Sequence, residues 1–267
     1  CAMMGFAVFV GALLASPTQL SGNWIGVVFG FFTGFLLCAA AMGINDYYDR
    51  KIDAINEPTR PIPSGTISPR EALAFVGVLS TGGFAFALLV SPLCLAVAVA
   101  SMIITGTYLT IGKRSGLPGN FLVSACVAIP FIYGSITVVN TVGLNVLFFA
   151  SLAFLSNTGR EITKGIVDVK GDSAEGVKTL AVRFGEKSAA TTAAVFYITA
   201  VALTPLTWFL GSVSILFIPF VLITDIGLVI CATLLLKDPS RENSRKIKKI
   251  VLLLFITGLL AYIFGAI

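Results

Sequence analysis

Two short segments carry most of the chemistry this chain could perform. Asn45-Asp46-Tyr47-Tyr48-Asp49-Arg50-Lys51-Ile52-Asp53 sets carboxylates at i, i+3 and i+7, and Asp168-Val169-Lys170-Gly171-Asp172 sets two at i and i+4. On helical backbone each set shares one face. Carboxylates stacked this closely repel one another, and a hard divalent cation is the simplest reason to keep them together. Mg²⁺ held by such groups is how enzymes grip a diphosphate. For either set alone, a solvated helix end explains the residues as well. Two sets, at positions 49 and 168 and each interleaved with Lys and Arg, favour the metal. Arg60, Lys113, Arg114, Arg160, Lys164, Lys178 and Arg183 fall at the same depth along the chain pattern and can donate to phosphate oxygens.

The rest of the chain reads as the frame for these groups. Of 267 residues, 57% are hydrophobic and only 12% charged, with a mean hydropathy of +0.96. That is too little charge to cover a water-soluble surface, so lipid must be the main solvent. The 18 basic residues fall in four clusters: Arg50 to Arg70, Lys113-Arg114, Arg160 to Lys187 and Lys237 to Lys249. The intervening runs are each long enough for two spans of about 20 residues, except the last, which holds one. Turn signals at Ser16-Pro17 through Asn23, Ser91-Pro92, Asn140 to Asn145 and Gly211-Ser212 divide them. The expectation is an all-α, polytopic bundle of nine transmembrane helices, near 2–16, 24–44, 70–90, 92–111, 119–139, 143–163, 186–209, 213–236 and 246–266. All basic loops then share one face, which the positive-inside rule makes cytoplasmic. Twelve of the 13 acids share that face, making it a mixed-charge surface.

The two acidic units lie four spans apart and so have the same orientation, which predicts a bundle with both acidic loops facing each other over a central cavity. One domain covers 1–267, with a pseudo-repeat of 1–111 and 119–236 followed by the last helix at 246–266. Lys237 to Lys249 occupy a loop without an acidic cluster and read as topology-setting charges. The absence of histidine removes His-based triads, His-ligated zinc and imidazole proton shuttles. Cys1, Cys38, Cys94, Cys126 and Cys231 stand singly in apolar stretches and read as small buried hydrophobes. The chain begins with Cys1, so its natural N-terminus is expected to be lost or processed, and no cleavable signal peptide is expected.

At the acidic residues the sequence resembles the UbiA-type intramembrane prenyltransferases. NDYYDRKIDAINEPTRPIPSG (Asn45 to Gly65) is similar to that family's NDxxDxxxD signature with its RPIPSG tail. GREITKGIVDVKGD followed by GVKTLAVRFGE (Gly159 to Glu186) is similar to its second aspartate motif. The resemblance extends over the whole chain in span count and loop order. It implies nine helices around a lateral, lipid-open cavity, with Mg²⁺ held between the motifs and the diphosphate of an isoprenoid donor. Carried over residue by residue, Asn45, Asp46, Asp49 and Asp53 match the first motif and Asp168 and Asp172 the second. Asp46, Asp49, Asp168 and Asp172 are the implied metal ligands. Many members have a further Asp where this chain has Gly165, which leaves the second site one carboxylate short. The family's usual Asn-containing segment before the first span is not present.

Within the family, REITK...DVKGD, the short chain and GKRSGLPGN (Gly112 to Asn120) look most like the archaeal digeranylgeranylglyceryl phosphate synthases. Those implied partners are geranylgeranyl diphosphate and the free hydroxyl of geranylgeranylglyceryl phosphate, a lipid-like phosphate acceptor. Chlorophyll synthase, whose first loop also reads NEPxRPIPSG, and transfer to an aromatic quinone precursor are the competing acceptor readings. The phosphate of such an acceptor would use bases beyond those one diphosphate needs, with Lys113 and Arg114 the candidates; Asn45, Asn120, Arg60, Arg160, Lys164 and Lys178 complete the implied substrate-binding set. Neither a nucleic acid nor an obligate protein partner is implied. A rival class, an ion-coupled transporter, would set its carboxylates near the bilayer midplane, whereas only Asp225 falls inside a span. Asp225 is either a hydrogen-bonded structural residue or a cavity group. Tyr108, Asn120, Tyr133, Ser156 and Asn157 either line the cavity or bond a neighbouring helix.

Overall fold

Local chemistry punctuates the chain. Three Ser-Pro pairs open helices: the hydroxyls of Ser16, Ser68 and Ser91 accept from the backbone N–H of Gln19, Glu71 and Cys94, and the following Pro stands in the first turn. Ser68 and Glu71 complete a reciprocal capping box. The computed structural model describes residues 1–174, 176–209 and 213–266, and among them every regular element is helical. In order these are α1 (Ala2–Ala15), α2 (Pro17–Leu20), α3 (Trp24–Asn56), α4 (Pro69–Val90), α5 (Pro92–Thr110), a 3₁₀ turn (Gly112–Arg114), α6 (Leu117–Val139), α7 (Leu144–Val167), α8 (Val169–Ala174), α9 (Leu180–Leu203), α10 (Pro205–Phe209), α11 (Phe217–Lys237) and α12 (Arg241–Gly265).

Among the described residues seven helices, α3, α4, α5, α6, α9 with α10, α11 and α12, are long and apolar enough to cross a membrane. The nine expected spans therefore reduce to seven by this measure. Fourteen residues of α1 rise only about 21 Å, less than the hydrocarbon thickness of about 30 Å. α7 has the length but bears Arg160, Glu161 and Lys164. One boundary moves and another is explained. α3 continues past the expected end at 44 to Asn56 without interruption, so the first acidic motif is helical. Gly185, at φ 83 and ψ 163, breaks α9, and only a glycine adopts that backbone cheaply, so its regular part begins near Glu186.

α1 sits at the centre, against α3, α6, α7 and α12, while α3 to α6 and α7 to α12 pack around it. Close approach rather than apolar area makes this possible. A Cβ built at Gly134 of α6 would stand 1.9 Å from the Val8 carbonyl oxygen, and one at Gly11 of α1 would stand 2.1 Å from that of Phe131. Helices in lipid associate through such small residues. Large apolar side chains such as Phe75, Val78, Leu89, Ile223 and Leu253 are exposed on the outside, the inverse of a water-soluble surface. Seven candidate spans and this surface make the chain an integral membrane protein.

Around α1 lies a cavity of about 650 Å³, walled by α1, α3, α5, α6, α7 and α12 with Thr224 of α11. Its exposed wall residues are Cys1, Met42 of α3 and Leu252 of α12. Of the cysteines, Cys94 and Cys231 are buried and Cys38 and Cys126 half-buried, but Cys1 is exposed. Cys1, Cys38 and Cys126 line the cavity, so they are wall residues rather than core filling.

Candidate active site

Three helices carry the cavity wall up into charge. On α3, Thr33, Leu37, Cys38, Ala41 and Met42 form a stripe that continues on the same face to Asn45, Asp46 and Asp49. On α5, Ala98, Ser101, Met102 and Thr105 lead to Tyr108 and then to Lys113 in the 3₁₀ turn. On α7, Ala153, Ser156 and Asn157 lead to Arg160, Glu161 and Lys164 and end at Asp168, the C-cap. Apolar chain below and ionic groups above therefore meet on one surface.

The two motifs meet through Lys113. Its ammonium is ion-paired with Asp49 Oδ1, while Asn45 Nδ2 donates to Asp49 Oδ2 at 3.0 Å. Asp172, one turn beyond Asp168, lies in the combined field of Asp168, Lys113, Lys164 and Asp49. Burial and then Asp168 push its carboxyl up to about 6, against the pull of Lys113 and Lys164. Arg60 turns back over the end of α3 through the bonds Arg60 N–H to Glu57 O and Ser64 N–H to Arg60 O, 3.0 and 2.9 Å. It donates to Asp53 at 2.7 Å and to Asp46 at 3.4 Å. Asp53 is 7% exposed, and burial raises its carboxyl above the usual range although Arg60 opposes this.

On α7, Arg160 Nη1 donates to Glu161 Oε1 at 2.9 Å and Lys164 Nζ stands 3.7 Å from Oε2. Lys113, Arg60 and Asn45 thus bond the first motif, while Arg160 and Lys164 are paired with Glu161. Arg114 and Lys178 are exposed and Asn120 half-buried, and among the described residues none of the three hydrogen-bonds to either motif. Lys113 is ion-paired with Asp49 of the first motif. Arg183 lies over Phe184 instead of facing the acids.

Two residues escape the sequence reading. Glu161, 9% exposed, neutralises Arg160 and Lys164; its signal was the i+4 step from Asn157 along the α7 wall. Lys248 is half-buried on α12, close enough to Asp168, Lys164 and Arg160 for their charges to act on it. Its signal was the four-residue step to Leu252, the first wall residue of α12. Tyr133, Ser156 and Asn157 line the cavity and are also tied: Tyr133 OH to Thr33 at 3.3 Å, Asn157 Nδ2 to Ser124 at 3.2 Å, Ser156 Oγ to Leu152 O at 2.8 Å. Asp225 is not among the wall residues; Thr204, at the break between α9 and α10, donates to it at 3.3 Å.

Among the described residues no three carboxylates or thiols are drawn close enough to form a ready metal cage. The donor set nevertheless fits Mg²⁺. Every candidate donor is a carboxylate or amide oxygen, and these groups already hold cations: Lys113 on Asp49, Arg60 on Asp46 and Asp53. Gly165 does not arise from crowding: a Cβ there would meet only Thr179, at 3.7 Å.

A helical membrane bundle whose lipid-walled cavity ends in paired carboxylates and bases is built for moving an apolar group off an anionic carrier. The chain belongs to the UbiA prenyltransferase family, which matches residues 4–261, and it is a prenyltransferase enzyme. A protein of Archaeoglobus fulgidus named digeranylgeranylglyceryl phosphate synthase is 36% identical over 268 residues, covering 99% of this chain and 91% of the relative. A solved structure concerned with digeranylgeranylglyceryl phosphate synthase in membranes is 31% identical, with a TM-score of 0.78 over 100% of this chain and 94% of that one. A UbiA homologue from Archaeoglobus fulgidus, solved bound to DMAPP and Mg²⁺, shares the fold at a TM-score of 0.60 and 16% identity over 98% and 99% of the chains.

Proposed function

We propose that the chain transfers a geranylgeranyl group from geranylgeranyl diphosphate to the free hydroxyl of geranylgeranylglyceryl phosphate, giving digeranylgeranylglyceryl phosphate. The observation that carries this is the continuity of the α3, α5 and α7 stripes, which join an apolar cavity of about 650 Å³ to a cluster of carboxylates and bases. The names of the relatives over nearly their full length support the substrates. Asp46, Asp49, Asp168 and Asp172 would hold Mg²⁺, with Asp53 supporting the first motif through Arg60. When bound, Mg²⁺ supplies positive charge to the diphosphate oxygens.

The chain's own residues do the rest. Lys113 and Arg60 donate to the diphosphate and favour its departure as the allylic C–O bond breaks. The apolar wall keeps water from the carbocation until the acceptor oxygen attacks. As the new C–O bond forms, the hydroxyl proton passes to a second-motif aspartate or to the released diphosphate. Membrane topology follows the charge pattern: α1 and α7 join the seven long spans to make nine crossings, and the face bearing the motifs is cytoplasmic. The test is pyrophosphate release from geranylgeranyl diphosphate by protein in lipid nanodiscs. Release should require Mg²⁺, cease with chelator, and depend on the glyceryl-ether phosphate rather than chlorophyllide or an aromatic acid. Release driven equally by the aromatic acid would refute the assigned acceptor.

A further inference from the structure

We infer that Arg160, Lys164 and Lys248 form the seat of the acceptor's phosphate, above a separate arm of the cavity walled by α7 and α12. The inference rests on the function proposed above and gives it a second anion site, distinct from the one around Asp49 and Lys113. The wall residues come in large part from two pairs of helices, α3 with α5 and α7 with α12, with α1 and α6 packed between them. One set, from α3, α5 and the facing side of α6, lies below Asn45, Asp49 and Lys113. The other comprises Ala153, Ser156 and Asn157 of α7 with Leu252, Phe255 and Leu259 of α12.

Each arm is headed by its own bases. Leu252, Phe255, Leu259 and Tyr262 repeat along one face of α12, and Lys248 is the next residue of that stripe toward the charged end. Opposite it, the α7 stripe ends in Arg160 and Lys164. The two helices pack directly on each other, and Arg241 Nε of α12 donates to the Val167 carbonyl of α7 at 3.0 Å, fixing their charged ends together. Lys248 is close enough to Arg160 and Lys164 to feel both charges. Three cations thus gather beside Glu161, which is ion-paired with Arg160 and Lys164, while Lys248 has no ion pair among the described residues. Arg160 also has a donor to spare. Nη1 is used on Glu161, but the buried Nε has no hydrogen-bond partner among the described residues, although the side chain lines the cavity.

The occupant this arrangement fits is a phosphate monoester carrying one apolar chain. The dianion meets a guanidinium and two ammonium groups, and the chain descends between α7 and α12. A hydroxyl near the head then points across the cavity toward Asp49 and Lys113, where the donor's diphosphate is held. The diphosphate needs no share in these three bases, because Lys113 and Arg60 already face the first motif.

Lys248→Gln in nanodiscs separates the alternatives. The acceptor KM should rise about tenfold while the donor KM stays within about twofold, and Lys248→Arg should restore the acceptor KM. Lys249→Gln, at an exposed neighbouring position, is the control for general surface charge. A binding measurement gives an outcome independent of turnover: wild type should bind lysophosphatidic acid at least tenfold more tightly than the matching monoacylglycerol, and Lys248→Gln should lose that preference. A parallel rise in donor KM would assign Lys248 to the diphosphate, and an unchanged acceptor KM with unchanged lipid preference would make it a topology charge; either overturns the inference. If wild type uses no phosphorylated acceptor at all, the proposed function falls, and the lysophosphatidic acid comparison still decides the subsite.

Discussion

Asp49→Asn and Asp53→Asn make the sharpest pair of perturbations, because both remove one charge without changing shape and the structure gives them different work. Asp49 is bonded by Asn45 and Lys113 and shares its electrostatic field with Asp172, whereas Asp53 is sealed beneath Arg60. The Asp49 and Lys113 side chains are 15% and 25% exposed. Their pair lies between a surface pair, worth about 0.2–1 kcal/mol, and a fully buried one, whose rupture costs about 3–5 kcal/mol. A loss of about 1–2 kcal/mol is expected. Removing a group that stabilises departing charge costs about 100- to 1,000-fold in rate. Catalysis should therefore fall much further than stability. In Asp53→Asn the buried carboxylate loses its desolvation penalty while Arg60, 42% exposed, returns to water, so stability should change by less than about 1 kcal/mol and turnover by less than about tenfold. Pyrophosphate release at saturating Mg²⁺, beside thermal unfolding in the same detergent, measures both. Asp49→Asn keeping more than a third of wild-type turnover, or Asp53→Asn losing as much as Asp49→Asn, would refute this division of labour.

Three further outcomes follow from the packing. Gly134→Ala should destabilise the bundle by about 1–3 kcal/mol or more, as overpacking does, because its Cβ would meet the Val8 backbone and α1 is enclosed on several sides; unfolding unchanged from wild type would contradict the α1–α6 contact. Gly165→Asp should fold normally, since only Thr179 stands near, and should lower the Mg²⁺ concentration for half-maximal turnover; a raised requirement would show that position 165 does not face the metal site. Asp225→Asn should keep donor binding and turnover within about threefold, with any defect in thermal stability, because Asp225 bonds Thr204 outside the cavity wall; loss of donor binding in a folded protein would place it in the site.

Much of the frame was written in charge and punctuation. Basic clusters and Ser-Pro pairs locate helices because lipid excludes charge and Ser-Pro satisfies a helix start, so the expected spans 70–90 and 92–111 fall within a residue of α4 and α5. By length and apolar composition alone only seven of the nine expected spans stand out among the described residues. α1 is too short alone but is held by Gly11, Gly34 and Gly134 at backbone distance, and interhelix contact of this kind leaves no periodic signal. The acidic residues were legible because their spacing is local. Their partners were not, since Lys113 to Asp49 and Arg60 to Asp53 depend on where loops return. Lys248 was hidden by its neighbours: five other bases between Lys237 and Lys249 look alike in sequence, and only helical phase distinguishes the one aligned with Leu252.

A mixed-charge face suits this chemistry better than a purely basic one. Without its carboxylates, the ring of Lys and Arg would hold a diphosphate in the product state as firmly as in the substrate, and uniform binding accelerates nothing. With Asp49 on Lys113, Asp53 on Arg60 and Glu161 on Arg160, each base already has a partner it can exchange for phosphate oxygen. Binding the donor then trades one ion pair for another and releases carboxylates toward Mg²⁺, so affinity for the bare anion stays modest. The exchange leads to a measurable consequence. Glu161→Gln frees Arg160 and Lys164 from their shared counter-charge, so inorganic phosphate should inhibit the variant more strongly than wild type, by about tenfold if one charge-assisted bond of about 1.4 kcal/mol is released. Inhibition constants measured in the same nanodiscs decide it. Weaker inhibition in Glu161→Gln would mean that the carboxylate positions the bases for the anion instead of competing with it.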